Sequence, residues 1–102
     1  MLALLRSGAI SMKAVDPGLT DPISQLVVEA LLARGPQNVT QIATYVRDAK
    51  GRSSRTTIRS RVALLQTTGF LRREESSLRW ALSEPFVRRI WIFLSKESEA
   101  KG

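Results

Sequence analysis

The stretch SSRTTIRSRVALLQTTG, from Ser53 to Gly69, sets the fold that the remaining residues have to complete. Ile58, Val62 and Leu65 recur at i, i+4 and i+7, the spacing that stacks three side chains on one side of an α-helix. That side belongs against a core. Thr56, Ser60, Ala63 and Thr67 fall on the opposite side with Arg59 on its flank, and no acid interrupts them. Arg61 falls near the edge of the packed side, where it suits a salt bridge or a phosphate contact.

Charge around this helix is concentrated. Between Arg47 and Arg73 the basic residues are Arg47, Lys50, Arg52, Arg55, Arg59, Arg61, Arg72 and Arg73, eight against the single acid Asp48, a surplus of seven. The chain as a whole carries +7, so the surplus resides in this stretch and the remainder is balanced. Such lopsidedness is the electrostatic footprint of nucleic-acid binding, and small hydroxyls edged by arginine suit close approach to a polyanion.

Composition narrows the alternatives. At 102 residues the chain has room for one compact domain. It has no cysteine and no histidine, which removes disulfides, thiolate chemistry and the commonest metal ligand and acid/base catalyst. Glu74 and Glu75 are adjacent carboxylates on a turn, with no geometric reason to share a proton. No glycine loop carries a lysine at the spacing that cradles phosphates. These observations predict a non-enzymatic protein with neither cofactor nor metal. No apolar run approaches the roughly 18 residues that span a bilayer, and the N-terminal MLALLRSGAISM lacks the basic start of a signal peptide. The expected location is cytoplasmic, associated with the nucleoid.

Outward from the central helix, punctuation residues divide the chain. Residues 1–19 show no sustained period and are expected to be a flexible N-terminal segment, or an arm in which Leu2, Leu4, Leu5 and Ile10 pack on a partner subunit. Asp21-Pro22 starts a helix carrying Ile23, Leu26, Val27, Ala30 and Leu31, which ends at Gly35-Pro36. A second helix opens at Val39-Thr40 with Thr40 as its cap, buries Ile42, Ala43 and Val46, and ends near Lys50-Gly51. After the basic helix, Phe70 to Arg73 and Leu78 to Leu82 read as two strands joined by the polar turn Glu74 to Ser77. Ser83-Glu84-Pro85 starts a last helix, and Ser95 to Gly102 reads as a polar end, the tail proper being residues 98–102.

VTQIATYV, SSRTTIRSRVALLQTTGFL and RREESSLRWALS, in that order, resemble the second helix, recognition helix and wing of the winged helix-turn-helix superfamily. The likeness is to small prokaryotic regulators of the multiple-antibiotic-resistance and arsenic-repressor type, and to compact winged-helix proteins of archaea and their viruses. It implies an α+β, mainly α fold: a three-helix helix-turn-helix core, a two-stranded β wing and an additional C-terminal helix, spanning residues 20–97. It also implies that the first half of the 53–69 helix enters the major groove of double-stranded DNA. Arg52, Ser53, Ser54, Arg55, Thr56, Thr57, Arg59 and Ser60 are then the expected contacts, joined by Arg72, Arg73 and Arg79 of the wing on adjacent backbone or in the minor groove.

The last helix carries a wider apolar arc than a small core needs. Phe86, Ile90, Trp91, Phe93 and Leu94 are therefore expected to form a homodimer interface, and Ile92 lies away from that arc. The function expected from all this is transcription regulation. Two other uses fit the same sequence: chromatin architecture with little base selectivity, and docking within a larger assembly.

Overall fold

The structure, a computed structural model, describes Asp16 and residues 19–51, 54–75 and 77–101, with side chains as far as residue 96. The first helix, α1, runs Pro22–Arg34 because Asp21 caps it: the Asp21 carboxylate accepts from the Ser24 N–H at 2.9 Å, and Pro22 occupies a first-turn position that has no use for an N–H. The second helix, α2, spans Val39–Lys50, and its cap is Asn38 rather than the expected Thr40. Asn38 Oδ1 accepts from the Gln41 N–H at 2.9 Å while Gln41 Oε1 accepts from the Asn38 N–H at 3.0 Å. This reciprocal box satisfies two free donors where a threonine cap would satisfy one.

The basic helix, α3, spans Arg55–Thr67 with Ser54 as its cap. It closes on Gly69, whose φ of 90° is the left-handed conformation that glycine takes without a Cβ penalty. Phe70 N–H then reaches back to the Leu65 carbonyl at 2.9 Å and Gly69 N–H to that of Gln66 at 3.1 Å, the paired bonds of a Schellman ending. Phe70 is thereby used by the helix end, and so strand β1 is Leu71–Glu74, one residue later than the sequence suggests. Strand β2 is Arg79–Leu82; Leu78, expected within it, lies in the turn at φ 55°. Helix α4 spans Glu84–Lys101, so the segment expected to be a polar tail continues the helix through Lys101.

β1 and β2 pair antiparallel with Leu71 opposite Leu82 and Arg73 opposite Trp80. Gln37, in the α1–α2 turn, adds a one-residue third strand: its N–H donates to Trp80 O at 3.0 Å and its carbonyl accepts from Trp80 N–H at 2.7 Å. The polar turn gave no sign of this.

α1 lies at the centre, packing on α2, α3 and β2. That is why it buries Ser24, Val27, Val28, Ala30 and Leu31, around more of its circumference than one stripe would. These apolar residues share one core with Ile42, Val46, Ile58, Val62, Leu65, Phe70, Leu71, Phe86 and Ile90. Phe70 and Phe86 meet edge to face with ring centroids 4.8 Å apart, tying the start of the wing to α4. Leu19 is in the same core at 1% exposure, and Arg89 of α4 pairs with Asp16. The packed body therefore reaches back beyond Thr20, which the absence of a sequence period had concealed. Three helices, a hairpin wing and a closing helix in this order form a winged helix.

Leu65, 3% exposed, tests the packing of α3. Leu65→Ala removes core methyls and leaves a cavity, and should cost about 2–5 kcal/mol in urea unfolding.

Candidate nucleic-acid interface

Burial of Ile58, Val62 and Leu65 turns the opposite side of α3 outward with Thr56 and Ser60 exposed on it, and Arg59 on its flank and Arg55 in the first turn are exposed as well. Arg52 and Ser53 lie outside the described residues. Ser54 and Thr57 serve the helix itself: Ser54 Oγ accepts from the Thr57 N–H at 3.1 Å, and the two hydroxyls bond to each other at 2.8 Å. Thr67 and Thr68 likewise turn their hydroxyls back to the Ala63 and Leu64 carbonyls, each at 3.0 Å. Thr56 and Ser60 are thus the hydroxyls best placed to meet a ligand. Leu64, outside the seam of Ile58, Val62 and Leu65, is exposed.

Arg61 forms the salt bridge. Its Nε donates to Asp21 Oδ2 at 2.9 Å, the oxygen that also accepts from the Ser24 N–H and, at 3.1 Å, the Ser24 hydroxyl. Partial burial alone would raise the Asp21 pKa. The Ser24 backbone bond, the Arg61 bond and charge, and the Ser24 hydroxyl outweigh it, so the carboxyl is held below its ordinary 3.8. One carboxylate therefore both caps α1 and sets the seat of α3 against it.

The wing supplies the other cations. Arg72, Arg73 and Arg79 are all exposed, but the pleat separates them: Arg73 shares a face with Trp80, whereas Arg72 and Arg79 share the other with Glu74. The Arg73 guanidinium sits over the Trp80 ring, 5.7 Å from its centroid, in a cation–π contact. That face and α3 border an open cleft of about 540 Å³, into which Arg59, Arg73, Leu78 and Trp80 converge with the start of α2. Trp80 and Leu78 went unnoticed in the sequence as site residues, because only the strand register places them beside Arg59.

On α4, Phe86 and Ile90 are 1% and 2% exposed in the chain's own core, which removes them from the expected partner surface. Phe93 and Leu94 are half-buried against that core, while Trp91 and Ile92 are exposed at 55% and 50%. The apolar surface open on this helix is thus Trp91 with Ile92, although Ile92 was read as lying apart. Among the described residues no cluster of His, Cys, Asp or Glu is arranged to hold a metal ion, and no helix is long and apolar enough to cross a membrane.

No protein-family model matches the chain, and no curated protein does. Among solved structures, that of a transcriptional regulator from Thermotoga maritima is similar, with a TM-score of 0.57 over 98% of this chain and 68% of that one, at 15% identity. Likeness at that identity establishes the winged-helix fold.

The Asp21–Arg61 pair carries a pH dependence of definite sign. Because the folded pKa lies below the unfolded 3.8, the stabilisation is fully present above that value and is lost as the pH falls through the lower folded one. Asparagine still caps a helix but holds no charge. The stability gap between wild type and Asp21→Asn in urea melts should accordingly close on acidification. With side chains 34% and 37% exposed, the gap at neutral pH should stay below about 1 kcal/mol.

Proposed function

We propose that this protein binds double-stranded DNA as a transcription regulator, laying α3 in the major groove with the wing on neighbouring backbone or in the minor groove. The observation that carries this reading is the solvent-open surface of α3, where Arg55, Thr56, Arg59 and Ser60 are all exposed on a helix without a single acid. Arginine there forks onto guanine or neutralises phosphate, and the hydroxyls reach base edges or phosphate oxygens. The similar Thermotoga maritima structure, named as a transcriptional regulator, supports it.

The protein acts as a homodimer in this reading. Trp91 and Ile92 are large, apolar and open on α4, and pairing of two such helices removes them from water. Two-fold symmetry then demands two half-sites about one helical turn apart, near 34–36 Å. Regulation differs from sequence-blind packaging in its base contacts, which the exposed arginines and hydroxyls of α3 are suited to make.

Two measurements test the proposal. Arg55→Gln with Arg59→Gln should leave the fold intact and weaken duplex binding, and should flatten the slope of log K against log salt by up to about 1.8 if both contact phosphate. Unchanged affinity in that double variant removes α3 from the interface. Selection of bound duplexes from a random pool should converge on a two-fold symmetric site; a pool that stays random points to architectural binding instead. For the dimer, Trp91→Ala with Ile92→Ala should shift sedimentation from dimer to monomer.

A further inference from the structure

The two faces of the wing carry different charge. On the face of Arg72 and Arg79, Glu74 stands directly opposite Arg79 in the ladder, and the shallow hollow there is bordered by Arg72, Glu74 and Glu75, with Arg73 at its boundary with the cleft. Towards α3 the balance changes. The cleft there gathers Arg59 from the helix and Arg73 from β1, and no side chain lining it is acidic. A polyanion that meets this wing finds carboxylates on its outer face and none lining the cleft.

The cleft is built for more than charge. The Arg73 guanidinium lies beside the Trp80 ring, 5.7 Å from its centroid, and a guanidinium in this position has the planar fork that suits two oxygens of one phosphate. Both backbone groups of Trp80 bond to Gln37, which fixes its strand to the α1–α2 turn, and Arg73 stands opposite it in the ladder. At the rim Leu78 combines φ 55° with 64% exposure. A left-handed backbone costs leucine stability, and exposure returns nothing for it, so folding alone does not account for a leucine here.

We propose that the cleft holds the sugar-phosphate backbone of one DNA strand as it passes between α3 and the wing. Arg59 and Arg73 take a phosphate from the two walls, while Leu78 and the edge of Trp80 pack on the adjoining deoxyribose. A cleft of about 540 Å³ has room for a unit of that size. This inference rests on the duplex-binding reading above and adds that the wing binds through one face, with Arg73 as its phosphate ligand and Arg72 and Arg79 as bystanders.

Fluorescence anisotropy of a labelled duplex across a salt series distinguishes the arginines. Arg73→Gln should lower the magnitude of the log–log slope by about 0.9, the contribution of one phosphate contact. Arg72→Gln and Arg79→Gln should leave it unchanged. Arg73→Lys, which keeps the charge, should retain the wild-type slope. Leu78→Asn supplies a variant whose backbone accepts the left-handed turn; it should melt no lower than wild type and bind more weakly at every salt concentration without a change of slope. In a Trp91→Phe background Trp80 is the remaining indole, and saturating duplex should quench or shift its emission. A slope loss in Arg72→Gln or Arg79→Gln equal to that in Arg73→Gln overturns the assignment, as does Trp80 emission indifferent to duplex. Failure of the wild-type protein to bind any duplex at low salt overturns the DNA reading itself, whereas wild-type binding combined with either preceding result overturns the cleft alone.

Discussion

Everything outward on this protein follows from the burial of one seam of α3. Ile58, Val62 and Leu65 belong to the same buried cluster as Val27, Val28 and Leu31 of α1, and α3 packs on α1, α2 and β1. Full burial of such side chains stabilises by about 1.5–3 kcal/mol each, well above the few tenths that an exposed arginine or hydroxyl contributes. Rotating α3 to hide its polar face would expose the seam, so the helix has one stable orientation. The exposed arginines are thus aimed by a hydrophobic constraint in which they take no part.

Polar satisfaction then sorts residues that look equivalent in the sequence. Ser54, Thr56, Thr57, Ser60, Thr67 and Thr68 are six hydroxyl side chains on or beside one helix. Four of them are used locally: Ser54 and Thr57 at the helix start, where the first N–H groups lack partners within the helix, and Thr67 and Thr68 on carbonyls one turn back. Arginine is sorted by the same competition. Arg61 goes to Asp21 because that carboxylate lies within reach of its Nε, whereas Arg55 and Arg59, one turn apart, remain exposed.

The sequence disclosed the architecture because its signals are local: Asp21-Pro22, the i, i+4, i+7 seam, Gly69, and two short apolar runs about a polar turn. It misjudged places where one residue serves two elements. Phe70 looks like a strand residue but closes the Schellman ending, and Thr40 looks like a cap although Asn38 with Gln41 satisfies two donors at once. Leu19 has no periodic neighbours, and only the packed structure shows it filling the core. The candidate interface was legible in its charges but less so in their directions. Whether Arg72 or Arg73 shares a face with Trp80 depends on a strand register that a one-residue shift would invert. On α4 the broad arc was real, yet Phe86 and Ile90 are consumed by the monomer, since their angular position faces the Phe70 side of the core.

The Gln37–Trp80 bridge has a mechanical consequence. By joining the α1–α2 turn to β2 through two backbone hydrogen bonds of 3.0 and 2.7 Å, it stitches the wing to the helical body at the second residue of β2, in the half of the hairpin nearer its turn. A hairpin hinged only at its ends could swing, and a ligand that gripped it would have to freeze that motion. Here the distance from α3 to the wing is set when the chain folds, so the molecule presents a gauge of fixed span. The ordering entropy that a loose wing would surrender on contact has already been spent in folding.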